Sequence, residues 1–258
     1  MFTSMRMVLL WVALIAAAPA AAEKVQTGFL DSSVVVENHL YKYQVFVPED
    51  WSASKKWPVI VFLHGIGESG DDGLIETEVG IGSAIRRDRA RFPAIVVLPQ
   101  SPKGHWWSEP PMDRVVIAAL DAASKKYHGD SHHTYLTGLS MGGYGTWSLA
   151  AQYPGRFAAL APVCGGVMRH KEVDMSANAD TKPYEDMAVK IGAKTPVWIF
   201  HGGDDPVVPV IESRRMYQAL TALGGEVHYT EYPGVGHDSW VKAYDEPELI
   251  SWLLSKSL

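Results

Sequence analysis

His133-Thr134-Tyr135-Leu136-Thr137-Gly138-Leu139-Ser140-Met141-Gly142-Gly143-Tyr144-Gly145-Thr146-Trp147 reads as a strand, a turn and the start of a helix. His133 to Leu136 carries the β-branched and aromatic residues of a short strand. Gly138 to Gly142 is a G-x-S-x-G pentad, and a helical stretch from Gly143 to Tyr153 follows it, ended by Pro154. The pentad alone is weak evidence. Between a strand and a helix it has a mechanical meaning: the serine sits on a strained turn at the edge of a sheet, and small neighbours let the chain bend that sharply. Ser140 is therefore the candidate nucleophile.

Outward from this stretch, apolar runs and helical patterns alternate. Tyr43–Val47, Val59–Leu63, Ala94–Leu98, Phe157–Val163, Val197–Phe200 and Val227–Tyr232 read as strands. The continuous β-branched run Val59-Ile60-Val61-Phe62-Leu63 is typical of a strand buried on both faces. Residues 113–127 place Val115, Val116, Ala119, Leu120 and Ala123 on one helix face. Ile211–Leu223 is helical and stops at Gly224-Gly225, and Glu248–Leu254 forms a last helix after Pro247. Alternation of this kind implies parallel strands joined by right-handed crossovers: a three-layer α/β fold with a mostly parallel sheet and helices on both faces. Two stretches break the pattern. Gly65–Asp88 is polar and glycine-rich, and residues 165–195 form a long insertion expected to overhang the binding face.

Composition narrows the function. The chain has 258 residues, 47% hydrophobic and 20% charged, which excludes a disordered chain. Its net charge of −6 and basic runs of no more than two residues argue against a dedicated nucleic-acid binder. A single cysteine, Cys164, leaves no internal disulfide to form and reads as a small buried residue. Residues 1–22 read as a cleavable signal peptide: Arg6, an apolar run from Met7 to Ala18, then Ala20-Ala21-Ala22 before Glu23. The run is too short to span a bilayer. We expect a soluble, secreted or periplasmic domain over residues 23–258, without stable membrane insertion. Its oligomeric state is not legible.

A serine hydroxyl needs a base, and in this type of sheet an acid and then a histidine follow the serine along the chain. His237, in the glycine loop Gly234-Val235-Gly236-His237-Asp238 after the last strand, is the candidate base. His39, His128, His132 and His133 precede the serine; His228 lies in a strand and His170 in the insertion. The candidate acid is in His201-Gly202-Gly203-Asp204-Asp205-Pro206, at a strand end. Adjacent aspartates cannot both reach one ring, and Pro206 biases Asp205 toward an extended backbone. An oxyanion hole needs two amides. Met141, after the serine, is one candidate, and Ile66, in His64-Gly65-Ile66-Gly67, is the other. We expect His64 to order this loop through its ring N–H. Trp107 is a candidate wall of the substrate pocket, ahead of its neighbour Trp106. Trp147 reads as core, and Trp240 as packing under the histidine loop.

Leu63-His64-Gly65, Gly138-Leu139-Ser140-Met141-Gly142-Gly143, His201-Gly202-x-x-Asp205-x-x-Val208-Pro209 and Gly236-His237 resemble the α/β-hydrolase superfamily in order and spacing. Within it, the serine stretch is similar to secreted phospholipase/carboxylesterase-like "predicted peptidase" esterases and to the feruloyl and acetylxylan esterases of carbohydrate esterase family 1. It also resembles the dienelactone hydrolases, which use a cysteine nucleophile where Ser140 stands. The family pattern lands on Asp205 rather than Asp204. The resemblance implies an α/β-hydrolase fold and a serine carboxylic-ester hydrolase acting through Ser140, His237 and Asp205 and an acyl-enzyme. No cofactor or metal is expected, and the substrate is a small-molecule or glycan-linked ester. The alternative is a serine peptidase of prolyl-oligopeptidase-like type, although the propeller domain of those enzymes is missing. A non-catalytic binding relative would have no use for an activated serine.

Overall fold

The structure is a computed structural model that describes residues 26–176 and 179–258. The expected signal segment, 1–22, lies outside the described residues. Strands β1 (Gly28–Val36) and β2 (His39–Val47) form a hairpin on the turn Glu37-Asn38, whose φ values are 51° and 65°. Two positive φ values give a turn whose twist matches that of the strands. Along the chain follow β3 (Trp57–Leu63), α1 (Gly80–Arg87), β4 (Ile95–Pro99), α2 (Met112–Tyr127), β5 (Gly129–Leu139) and α3 (Met141–Gln152). Then come β6 (Ala159–Val163), α4 (Lys182–Ile191), β7 (Val197–Gly202), α5 (Ile211–Ala222), β8 (Val227–Tyr232), α6 (Trp240–Asp245) and α7 (Leu249–Leu254). The strands form one sheet in the order β1-β2-β4-β3-β5-β6-β7-β8. β1 and β2 pair antiparallel, as do β2 and β4; every later pair is parallel. This is the three-layer α/β-hydrolase fold expected from the alternation and the motif order.

Strand alternation splits the core in two. Val59, Val61 and Leu63 of β3 face one layer with α2, α3, α4 and α5. Ile60 and Phe62 face the other, with α1, α6 and α7. All five are fully buried, and each side chain of this size contributes about 1.5–3 kcal/mol relative to exposure. Helix α5 ends where Gly224 takes a φ of 75°, as the glycine signal implied. Strand β1 escaped the sequence reading because Gly-Phe-Leu-Asp-Ser-Ser-Val-Val-Val does not alternate cleanly, and as an edge strand it stays half exposed. Helix α4 occupies the second half of the 165–195 insertion. Only Tyr184, Ala188 and Ile191 of it are buried, a stripe too thin to stand out among its charges.

Parallel pairing of β3, β5, β6, β7 and β8 brings their carboxyl ends to one edge of the sheet. From that edge emerge the His64 loop, Ser140, Cys164, Asp205 and the His237 loop. Residues far apart in the chain thus meet at one place. Among the described residues no helix is long and apolar enough to cross a membrane.

Candidate active site

Ser140 joins β5 to α3 with φ 51° and ψ −117°, a conformation that costs a non-glycine residue about 1–3 kcal/mol. Backbone bonds hold it there. Its amide donates to the Val163 carbonyl at 3.0 Å, and its carbonyl accepts from Gly143 and Tyr144 at 2.8 and 3.1 Å. The flanking glycines are dictated by space. A Cβ on Gly142 would lie 1.9 Å from the Leu63 carbonyl oxygen, and one on Gly138 2.4 Å from that of Gly142. The pentad is therefore a packing solution as well as a turn.

Ser140 Oγ lies 2.8 Å from His237 Nε2, and His237 Nδ1 lies 2.7 Å from Asp205 Oδ2. His237 sits just past β8, with Trp240 edge-on to its ring at 5.4 Å between centroids, as expected for the residue under this loop. Asp205 Oδ1 accepts the amides of Val207 and Val208 at 2.8 and 2.9 Å. Burial pushes its carboxyl up, but bonds from His201, His237 and these two amides outweigh burial and hold it well below the usual carboxylate range. With Asp205 ionised, His237 Nδ1 donates to it, which leaves Nε2 free to accept the Ser140 proton. Asp204 is exposed and reaches the loop only through its amide, which donates to the Val235 carbonyl at 3.0 Å.

Of the two amides expected at an oxyanion hole, one belongs to the residue after Ser140 and the other to the loop after β3. Met141 is the first residue of α3, where amides have no acceptor within the helix. Ile66 follows Gly65, and a Cβ built on Gly65 would lie 3.7 Å from Ser140 Cβ, so this loop passes directly over the serine. His64 Nε2 accepts the Ser101 amide at 2.9 Å, so its Nδ1 carries the proton and donates to the Gly65 carbonyl at 2.5 Å. Burial pushes the His64 ring down to about 4, which keeps it neutral in this structural role.

Trp107 requires a correction. It was expected on the pocket wall but is fully buried. Its Nε1 donates to the His64 carbonyl at 3.0 Å, and its ring stands edge-on to His64. Gly145 of α3 leaves it room, since a Cβ there would lie 2.4 Å from Trp107 Cβ. Trp107 therefore braces the loop from below. Trp106 is the half-exposed neighbour, edge-on to Tyr144 at 5.7 Å, with the Arg169 guanidinium 4.7 Å above it. Trp147 is core, as expected.

Sequence reasoning assigned no role to two groups. His201, fully buried on β7, reaches Asp205 Oδ2 through Nε2 at 3.2 Å; the spacing His-Gly-x-x-Asp was its only trace. Cys164 is buried beneath the site, with Sγ within 4.8 Å of ligand atoms of Asp205 and His237. Burial pushes its thiol up, away from the reactive thiolate. Those three residues are also the one group among the described residues spaced to hold a metal. The donors already crowd the Asp205 oxygens and His237 Nδ1 carries a proton, so this set does not suit a cation.

A family model described as phospholipase/carboxylesterase matches residues 113–246. A protein of Arthroderma benhamiae described as an uncharacterized secreted protein is 30% identical over 203 residues, which cover 71% of this chain and 22% of that one. The solved structure of a thermostable esterase is 33% identical with a TM-score of 0.75, over 89% of this chain and 63% of that one. The feruloyl esterase module from Clostridium thermocellum complexed with sinapinate, 17% identical, shares the fold at a TM-score of 0.66 over 88% and 87%. This chain thus spans less than two thirds of the length of the first two.

Proposed function

We propose that this chain, which belongs to the phospholipase/carboxylesterase family, is an exported serine hydrolase of carboxylic esters. The observation that carries the reading is the unbroken run of bonds from Ser140 Oγ to His237 Nε2, at 2.8 Å, and from His237 Nδ1 to Asp205 Oδ2, at 2.7 Å. In this reading Ser140 Oγ attacks the acyl carbon as His237 Nε2 takes its proton. The oxyanion forms against the amides of Met141 and Ile66. His237 then passes the proton to the leaving alcohol, and a water hydrolyses the acyl-enzyme by the same route in reverse. Asp205 keeps the ring in the right tautomer and steadies the imidazolium. A short-chain, aryl or glycan-linked ester is the substrate class, and export follows from the leader-like segment 1–22.

Cys164 also lies near His237 and Asp205, so a thiol nucleophile is the competing chemistry. Complete burial and a raised thiol pKa disfavour it. The deciding experiment is labelling with a fluorophosphonate, mapped by mass spectrometry, alongside hydrolysis of p-nitrophenyl acetate without added metal. Ser140→Ala should abolish both, and Cys164→Ala should retain both. Labelling that survives in Ser140→Ala would transfer the role to another residue. Faster turnover of peptide amides than of esters would favour a peptidase.

A further inference from the structure

His201 takes no part in the chemistry above, yet its ring is held on both sides. Nδ1 lies 2.7 Å from Ser213 Oγ on α5, and Nε2 lies 3.0 Å from the Val208 carbonyl and 3.2 Å from Asp205 Oδ2. Both partners of Nε2 are acceptors, so Nε2 carries a proton, and Nδ1 pairs with the Ser213 hydroxyl. Oδ2 of Asp205 therefore pairs with His237 at 2.7 Å and also lies 3.2 Å from His201 Nε2, whose N–H bonds the Val208 carbonyl at 3.0 Å and leans on the carboxylate as a second, weaker partner. Oδ1 takes the amides of Val207 and Val208. A carboxylate offers about four lone-pair sites; three are filled by N–H groups and His201 Nε2 stands against the fourth, in a pocket where both the Asp205 and the His201 side chains are 0% exposed.

We propose that His201 is a positioning residue for Asp205: it holds the carboxylate facing His237 and draws off part of the Oδ2 charge, which limits how strongly the acid favours the protonated His237 ring. Without the His201 N–H, a lone pair of Oδ2 stands empty in a dry pocket. The oxygen becomes more basic and His237 holds its proton to higher pH, so less of it is neutral and ready to accept the Ser140 proton. The other titratable groups facing the pair do not mask this effect. Cys164, at the end of β6, and Tyr144, on α3, are kept neutral by burial. Glu231 on β8 is ionised but gripped by Arg214 at 2.9 and 2.6 Å. Asp238 lies on the histidine's own loop and is unchanged by the substitution.

The kinetic consequence rests on the serine-hydrolase reading, so the test includes a measurement that does not. His201→Leu and His201→Gln are compared by the pH dependence of kcat/KM, and by NMR titration of the His237 ring in a Ser140→Ala background. In His201→Leu we expect kcat to fall about tenfold or more with KM within about threefold. The acid limb and the His237 titration should both move up by about half a pH unit or more. The glutamine amide can donate as Nε2 does, so His201→Gln should restore most of both. Should His201→Leu fail to fold, Ser213→Ala frees the ring from α5 and should move the titration the same way by less. An unchanged His237 titration and acid limb, whatever the thermal stability, would overturn the proposal and leave His201 a core residue. If fluorophosphonate does not label wild-type Ser140, the hydrolase reading fails, while the NMR titration still decides the role of His201.

Discussion

Asp204 and Asp205 are neighbours with different chemistry. The Asp205 side chain is wholly buried, accepts from the His237 ring and two amides and lies against the His201 ring, whereas Asp204 is exposed. Asp205→Asn should lower kcat by about 10³–10⁴-fold, because an amide in that place favours the wrong imidazole tautomer. Asp204→Asn should cost less than about threefold, since its link to the histidine loop is a backbone amide that the substitution keeps. Steady-state kinetics on both variants, folded by circular dichroism, check this, and the reverse order would reassign the acid. Order along the chain and the Pro206 argument made Asp205 legible in the sequence. The Trp106–Trp107 pair was not legible: either ring could have turned inward, and the gap left by Gly145 on another element selects Trp107.

Elements were legible where their patterns are strong and local. The α2 stripe, the β3 run and the glycine stop of α5 stand within a few residues of where they were expected. Helix α4 was not, because its place depends on a partner 28 residues further on. Glu212 of α5 is fully buried; its carboxylate accepts the Tyr184 hydroxyl and the amides of Val167 and Met168, the last two at 2.5 and 3.1 Å. One side chain thus ties the start of the 165–195 insertion and the first turn of α4 to α5. Glu212→Ala should leave the buried Tyr184 hydroxyl and two part-buried amides without an acceptor, about 1–3 kcal/mol for the first and less for each amide, so we expect a loss of about 2 kcal/mol or more. The thermal midpoint should fall by on the order of 10 °C. A fall of less than about 2 °C would mean that water replaces the carboxylate.

At the scale of the whole molecule, stability should depend on Glu76, which lies between β3 and α1 and is fully buried with neither carboxyl oxygen bonded. Burial pushes it up from 4.5 to about 7, and the nearby Asp72 and Asp31 charges add to this. The folded chain therefore binds a proton more tightly than the unfolded one. The contribution of neutral Glu76 is complete below about pH 4.5 and is lost as pH rises toward 7. Glu76→Gln should gain about 1–3 kcal/mol on the wild type between pH 4.5 and 8. Urea unfolding at both pH values measures it, and a difference that does not change with pH would mean that Glu76 finds a partner. By itself the sequence determined the layered α/β fold and the chain order of Ser140, Asp205 and His237 as candidates. Both follow from local periodicity, turn chemistry and covalent order, which need no knowledge of distant contacts. Only the tertiary structure decided which tryptophan lies beneath the oxyanion loop, that His201 shares the Asp205 carboxylate, and that Glu76 is buried without a partner. Each depends on how closely separate segments pack, and that distance is set by the sheet order and the crossovers rather than by any one stretch of chain.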